Sequence, residues 1–576
     1  MDVGLYRKVQ LALVATLFAM QIFAVAVQLS GLADESKGLS WFFFIRQDVL
    51  VLAAMLAGIL LLKPEPAVKA VHEPWLEVIQ RPGIMVLVAL LLTGICWTGH
   101  YLILLGHDLS RDEQMANFDA YIFSHGKLFW PIPEQWRPYA DALNQTFILP
   151  IGDHEAWVSN YLPINAAMRA AVGTIADPAL TSPLLVGVGA LALWRVSHRL
   201  WPDSGSARAV ALILYAGSSQ VILTGMTAYA MTAHLALNLV WLALFLQDRR
   251  ASHVGAILIG FLATGLHQPI FHPLVVLPFM WMLFRERRWQ LMLSYGFGYA
   301  LICVFWLAWP IWISSHGVGP APIQGDTGAS FLQRLSHILR IPNVESAWLT
   351  SLNLLRFVSW QHLLLMPLLG VGIWIKWSTE AVVRALAAGL AITVIVVAVL
   401  LPYQGHGWGY RYLHGIVGNA CLLGAYGFDA MRGNGQSLRR AMAYASAVTF
   451  LVFIPLRAYM ANKMVAPYAN AAGAVAASGA DVAIVDDMAV PFGQDLVLNR
   501  PDLSNAPVFL LASMLKPQAI TDLCGRDTTM FVGGEELAPI KMFFGDTKSK
   551  QTSSQASTFQ PDLVQQKCRT IERRPR

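Results

Sequence analysis

The sequence predicts an all-α polytopic membrane bundle ending in a small extracytoplasmic α/β C-terminal domain. Three observations predict it. Of the 576 residues, 56% are hydrophobic and only 13% are charged, too few charges to cover an ordinary soluble domain. Apolar runs of roughly 17 to 25 residues recur along the chain, each long enough to cross a hydrocarbon core about 30 Å thick as a helix. Lys and Arg gather in every second loop between those runs, the pattern of a chain threaded back and forth through a bilayer.

In chain order, spans are expected near 9–31, 42–62, 84–105, 183–200, 206–224, 230–247, 253–268, 270–285, 291–313, 360–377, 384–402, 412–430 and 440–456, about thirteen in all. The basic loops hold Arg7 and Lys8, Lys63 to Arg81, Arg195 to Arg208, Arg249 and Arg250, Arg285 to Arg288, Lys376 to Arg384, and Arg432 to Arg440. These face the cytoplasm, which places the amino terminus there as well. Topology therefore accounts for the formal net charge of +6, and no nucleic-acid partner is needed to explain it. The first apolar run exceeds a signal-peptide core and lacks a small-residue cleavage pattern after it, so it is expected to stay as a helix.

Residues 1–456 then form the transmembrane domain, with loops 106–182, 314–359 and 403–411 on the extracytoplasmic side. Residues 457–576 follow as an extracytoplasmic soluble domain. In it, "DVAIVDDMAV" and "APVFLLASML" are short apolar runs broken by Pro and Asp, strand-like rather than bilayer-length. From Thr547 to Gln566 the chain is rich in Ser, Thr, Gln and Lys, a flexible tail by composition. Cys96, Cys303 and Cys421 fall in apolar helices as small hydrophobes. Cys524 and Cys568 fall in the exported domain, where an oxidising compartment permits a disulfide between them.

Zinc-type Cys and His spacing, a phosphate-binding glycine loop ahead of a helix, and fixed-period helical repeats are all missing from the sequence, which removes support for cytosolic nucleotide chemistry. The informative segment is the first long outer loop, "GHDLSRDEQMANFDAYIFSHGKLFW". Its adjacent carboxylates Asp112 and Glu113 lie just past a spanning helix and point to different sides, so one can face a substrate while the other holds a local partner. A solvated loop or a helix start is the plainer reading of such a pair. Asp108 and Asp119 are weaker candidates for the same role.

The pair is followed by a loop rich in Trp and Tyr, by "NYLPINAAMRAAVG", and by a series of spanning helices. From about Asp108 to Phe284 this arrangement resembles the glycosyltransferase-C superfamily, in its protein O-mannosyltransferase-like and aminoarabinose-transferase-like branch. The resemblance implies a membrane glycosyltransferase that moves a sugar from a polyprenyl-phosphate-linked donor to a glycan, glycolipid or protein acceptor at the extracytoplasmic face. It also implies that an acidic residue of the first outer loop is the catalytic base. Two features depart from the family pattern: three helices precede the acidic loop instead of one, and the family's paired prolines are a single Pro163.

The chemistry can be stated on its own. A carboxylate accepts the proton of the acceptor hydroxyl as it attacks the anomeric carbon, and attack opposite the phosphate inverts the configuration. Fixed positive charge must meet the lipid phosphate at headgroup level. "PYQGHGWGYRYLHG" fits that place: Arg411 for a bidentate clamp, Gly405, Gly407 and Gly409 for close backbone approach, His406 or His414 as a further donor. An interfacial belt of Trp408, Tyr410 and Tyr412 is the alternative reading. His267 and His272 in "GLHQPIFHP" are either substrate contacts or parts of a tight loop, since a spacing of five does not align a metal pair on one helical face. Trp130, Trp136, Trp157 and Tyr161 are either platforms for sugar C–H faces or interfacial anchors. The sequence shows no metal site and requires no cofactor, although a diphosphate-linked donor would leave room for a divalent cation. A transporter or flippase for a lipid-linked glycan is the rival reading; its marks, discontinuous helices in repeated halves, are not evident.

The topology is checked by reporter fusions. A phosphatase fused after Leu456 should be active and a fluorescent protein there dark; a fluorescent, phosphatase-inactive fusion would place the proposed face on the wrong side.

Overall fold

The protein is described here from a computed structural model. The described residues are 3–33, 38–61, 81–144, 146–315, 343–431, 435–526 and 528–545. The expected flexible tail, Cys568 and the first half of the 314–359 loop lie outside them. Two compact units emerge: Met1–Gly99, Ala179–Ala308 and Gly328–Met460 form the first, and His100–Pro178, Trp309–Thr327 and Ala461–Arg576 the second.

The first unit is helical. Counted over all described residues, seven helices are long and apolar enough to cross a membrane: Tyr6–Leu29, Gly38–Leu61, Pro82–Leu102, Pro178–Leu200, Trp289–Ser314, Ala381–Leu400 and Leu438–Ala476. The chain is thus a multi-pass membrane protein by the length and composition of its helices. Several other expected spans are shorter apolar helices, among them Gly205–Ala216, Met231–Phe245, Arg250–Thr264, Phe271–Arg285 and Leu365–Lys376. The expected span 206–224 is broken. Its helix ends at Ala216, and the Ser218 hydroxyl accepts from the Val221 amide to start a new one, Ser219–Thr224, because a serine competes for the backbone better at a cap than inside a helix.

The 314–359 segment, expected as a loop, is helical over Val344–Ser359. Trp348, Leu352, Leu355 and Val358 recur at helical spacing and are buried in one cluster with Leu17, Ala24, Phe44 and Leu52, which explains why this segment packs as a helix. Likewise the expected boundary at 457 falls within a helix, since Ile454–Ala476 is continuous.

Arg457 is one corner of a buried ionic network. Asp48, at the end of a short π-helical turn Phe44–Asp48, is 1% exposed, with Arg356 at 4% and Arg457 at 0%. Arg356 Nη1 lies 2.9 Å from Asp48 Oδ2, and Arg457 Nη2 lies 3.1 Å from Asp48 Oδ1. Ser359 and the Trp360 indole also donate to the carboxylate. Two guanidiniums share one carboxylate, and the surplus positive charge is met by backbone carbonyls: Arg356 donates to Gly407 and Gly409, Arg457 to Gln47 and Ser359.

The second unit contains two sheets. Trp130–Pro131 and Ile148–Ile151 flank Ala156–Ser159 in an antiparallel sheet, with Trp130 opposite Trp157. Val482–Val485 lies between Val508–Leu511 and Thr529–Val532, all parallel, with helices Pro517–Arg526 and Gly534–Phe544 following in sequence. The strands of the expected C-terminal domain share one apolar cluster with the first outer loop: Val482, Ile484 and Leu510 pack with Met115, Phe118, Ile122 and Trp157. Residues 457–576 are thus not free-standing; most of a second core wall comes from residues 115–158. Cys524 is disulfide-bonded, whereas Cys96, Cys303 and Cys421 are free.

Removing one partner of a buried ion pair strands the others. Asp48→Asn should destabilise the fold by roughly 3–5 kcal/mol, read as a lowered thermal unfolding midpoint in detergent. An unchanged midpoint would show that the carbonyls alone satisfy both arginines.

Candidate functional site

The acidic loop folds as a helix start. Ser110 caps Arg111–Ser124 in a full capping box: its hydroxyl accepts from the Glu113 amide at 3.3 Å, and Glu113 Oε2 accepts from the Ser110 amide at 3.1 Å. Glu113 is 2% exposed. Its carboxylate therefore serves the helix terminus, which argues against it as the base. Asp112 stands one residue earlier and half-exposed, with Oδ1 accepting a hydrogen bond from the Tyr161 hydroxyl. Asp108 Oδ2 accepts from Asn117.

The same helix is tied to the C-terminal segment. Arg111, buried, donates to the carbonyls of Val497 and Gln494, and Gln114 to that of Asp495. Burial holds the Arg111 pKa below its usual value, with the charge of Asp495 opposing the shift. The neighbouring Arg169 is also buried and its pKa lowered by desolvation, against the charges of Asp108, Glu113 and Asp177. Arg111, Glu113, Arg169 and Asp495 are thus all buried around the start of this helix.

Asp119 lies two turns beyond Asp112 on the same helix and is 2% exposed. Burial pushes its carboxyl up to about 7, against hydrogen bonds from the Ser159 hydroxyl and amide that lower it. The Ser159 hydroxyl in turn accepts from the Tyr161 amide at 3.2 Å. Asp119 therefore sits behind the strand end that aims Tyr161 at Asp112. Trp157, expected as a sugar platform, is 1% exposed, donates its indole N–H to Pro501 and packs edge-on against Phe118. It has no face left for a substrate and is a core residue. Trp130 instead carries Lys127 over its ring at 3.6 Å, and Trp136 packs beside Tyr139.

In the first unit, the glycine loop is built as a cradle. Gly405, Gly407 and Gly409 all have positive φ, at 66°, 147° and 68°, and a Cβ at Gly409 would fall 2.5 Å from the Gln220 side chain. No other residue fits there. Gln404 accepts from the Arg411 amide and Gln220 donates to the Tyr410 carbonyl. Trp408 and Tyr410 are buried at 2% and 1%, so they are not headgroup anchors. Arg411 remains half-exposed, its guanidinium 5.5 Å from the Tyr229 ring centroid and 5.2 Å from that of Tyr412. Two aromatic rings at this distance restrict where the guanidinium can lie.

Arg411 and Tyr412 line a cavity of about 20 Å³ with His234, Asn238 and Thr393. His406 is buried at the cradle. His414 is fully buried and His234 is 3% exposed, and among the described residues the ring nitrogens of both have no hydrogen-bond partner. His272 is fully buried, with Nδ1 on Asn238 at 2.6 Å and Nε2 on Tyr299 at 2.7 Å. Both of its nitrogens are engaged within the bundle, so it holds helices together and does not meet a substrate. His267 is half-buried in the short loop between Arg250–Thr264 and Phe271–Arg285. Sequence reasoning missed His234, Asp48, Arg356 and Arg457. A lone Asp inside the 42–62 apolar run was the available signal for the last three. Among the described residues, no group of three or more His, Cys, Asp or Glu is placed to hold a metal ion.

The fold and these sites define a multi-pass membrane protein with two polar centres, one in each unit. No family model matches the chain, and no curated protein matches it. Among solved structures it is similar to two crystal structures of ArnT from Cupriavidus metallidurans. One, bound to undecaprenyl phosphate, has a TM-score of 0.49 at 12% identity over 73% of this chain and 85% of that one. The other, in the apo state, has a TM-score of 0.39 at 11% identity over 73% and 84%.

The raised Asp119 pKa has a pH consequence. Its folded pKa of about 7 exceeds the ordinary 3.8, so the folded state holds this proton more tightly, and the resulting stability is full below about pH 4 and lost as pH rises through about 7. Asp119→Asn should flatten that slope in thermal unfolding measured across this range. An identical slope in the variant would assign the proton elsewhere.

Proposed function

We propose that this protein is an extracytoplasmic-face glycosyltransferase, transferring a hexosyl or pentosyl group from a polyprenyl-phosphate-linked donor to an acceptor hydroxyl with inversion. The observation that carries the reading is the division of labour between neighbouring carboxylates. Glu113 is consumed by the helix cap, while Asp112 stays half-exposed and oriented by Tyr161. A general base requires a carboxylate that an acceptor can reach and that a neighbour holds in one direction.

In the proposed step the acceptor oxygen forms a bond to the anomeric carbon as the bond from that carbon to the phosphate oxygen breaks. The hydroxyl proton passes to Asp112, and the leaving group departs as the polyprenyl phosphate anion. The Tyr161 hydroxyl stabilises the carboxylate in the orientation that receives the proton. For the leaving phosphate, Arg411 is the proposed clamp, with His406 and His414 as further donors from the same segment. The support is local: a half-exposed guanidinium beside the rings of Tyr229 and Tyr412, on a loop whose glycines expose backbone. Planar bidentate contact to phosphate is what such a preorganised fork provides. The two assignments are independent, each resting on its own unit.

Transfer of radiolabelled sugar by the purified protein, with and without a polyprenyl-phosphate donor, tests the class, because a flippase would transfer none. Asp112→Asn keeps shape but loses basicity, so turnover should fall by a factor on the order of 10² to 10⁴ with donor binding preserved. Arg411→Lys should instead weaken use of the donor, since a point charge cannot replace the fork. Near-normal turnover in Asp112→Asn would remove the acidic helix from the chemistry.

A further inference from the structure

The first unit also has a cavity of about 880 Å³ between the helices Phe271–Arg285, Trp289–Ser314 and Ala381–Leu400. That is the size of a small-molecule site rather than a packing defect. Its walls are apolar and pliable: Leu277, Met280, Met292 and Ile392. Unbranched methionines adapt to chains of varied shape. The rim is different, because Arg285 and Arg384 both line it, with Glu286 beside them.

Arg384 is placed rather than floating. It lies in the first turn of Ala381–Leu400, and its guanidinium donates to the carbonyls of Trp377 at 2.8 Å and Ser378 at 3.4 Å. A cation in a first turn opposes the helix dipole, a conflict that an anion bound at the same end would relieve. The helix ends and loops here carry Arg285, Arg287, Arg288, Lys376 and Arg384 against Glu286 and Glu380, so the local balance is positive. Two tryptophans mark the depth of an interface: Trp281 is 61% exposed and Trp377 is 48% exposed. Trp281 stacks on Phe284 with ring centroids 5.0 Å apart. Exposed indoles beside arginines are what a bilayer headgroup zone selects.

We propose that this cleft is a binding site for an anionic glycerophospholipid, its phosphate on Arg285 and Arg384 and its upper acyl chains between the three helices. Positive loops face the cytoplasmic leaflet, where anionic lipids attract juxtamembrane arginines. An apolar cleft with a basic rim complements a molecule that is anionic at one end and hydrocarbon at the other. The site shares no residue with the proposed transfer centre and does not depend on it.

The test is native mass spectrometry of the full-length protein in detergent, titrated with dioleoyl phosphatidylglycerol or dioleoyl phosphatidylcholine. Phosphatidylglycerol should be retained more tightly, by a factor on the order of ten, and the double variant Arg285→Gln with Arg384→Gln should abolish that preference. Equal retention of the two lipids, or a preference that survives the double variant, would overturn the proposal. So would displacement of bound phosphatidylglycerol by equimolar undecaprenyl phosphate, which would make the cleft a polyprenyl site. Should the double variant not fold, the double variant Met280→Trp with Met292→Trp decides: it narrows the cleft between the helices and keeps both arginines. Loss of phosphatidylglycerol retention in it supports the cleft, and unchanged retention overturns it.

Discussion

The arrangement of the first unit depends on the buried carboxylate of Asp48. It holds Arg356 and Arg457, which come from helices far apart in sequence, and Arg356 in turn holds the carbonyls of Gly407 and Gly409. Taking three charges out of water is costly, and the cost is offset only where every donor and acceptor is met. Here the π-helical turn matters. Its extra residue per turn brings Gln47 and Asp48 together at the centre, Gln47 accepting from Arg356 through its side chain and from Arg457 through its carbonyl. A helix surface in lipid gains no hydrophobic drive to pack against its neighbour, so polar contacts of this kind carry an unusual share of specificity.

The glycine cradle inherits its shape from that network. Its backbone is set by Arg356 on one side and by Gln220 and Gln404 on the other, which leaves the conformation of the Arg411 segment little freedom. A preorganised cation avoids the ordering cost that a flexible one would meet on binding phosphate. His234, whose ring nitrogens have no hydrogen-bond partner among the described residues, lies beside a small cavity that a water or a ligand atom can enter.

In the second unit the equivalent constraint is the shared core. The helix carrying Asp112 is capped at one end by Ser110 and Glu113, tied to residues 494–497 by Arg111 and Gln114, and anchored along its length by Phe118 and Ile122. Asp119 adds a buried acid to the strand end that presents Tyr161. For the proposed role of Asp112 as a base such a rigid support matters, because misdirection of a proton acceptor costs rate directly.

The sequence by itself determined the membrane class, the positions of most helices, the acidic helix start and the glycine segment, because these depend on local composition, periodicity and backbone preference. The proposed roles of Asp112 and Arg411 were read from the same kind of signal, polar groups in short patterned stretches. The helix Val344–Ser359 had helical spacing, yet its lower apolar content resembled a loop until its partners Leu17 and Leu52 were known. Only the tertiary structure decided that Glu113 is a cap, that Trp157 and His272 are interior, and that Asp48, Arg356 and Arg457 form one network. The physical reason is common to all: burial and hydrogen-bond partnership are set by residues tens to hundreds of positions away, and no local pattern encodes which distant group will meet them.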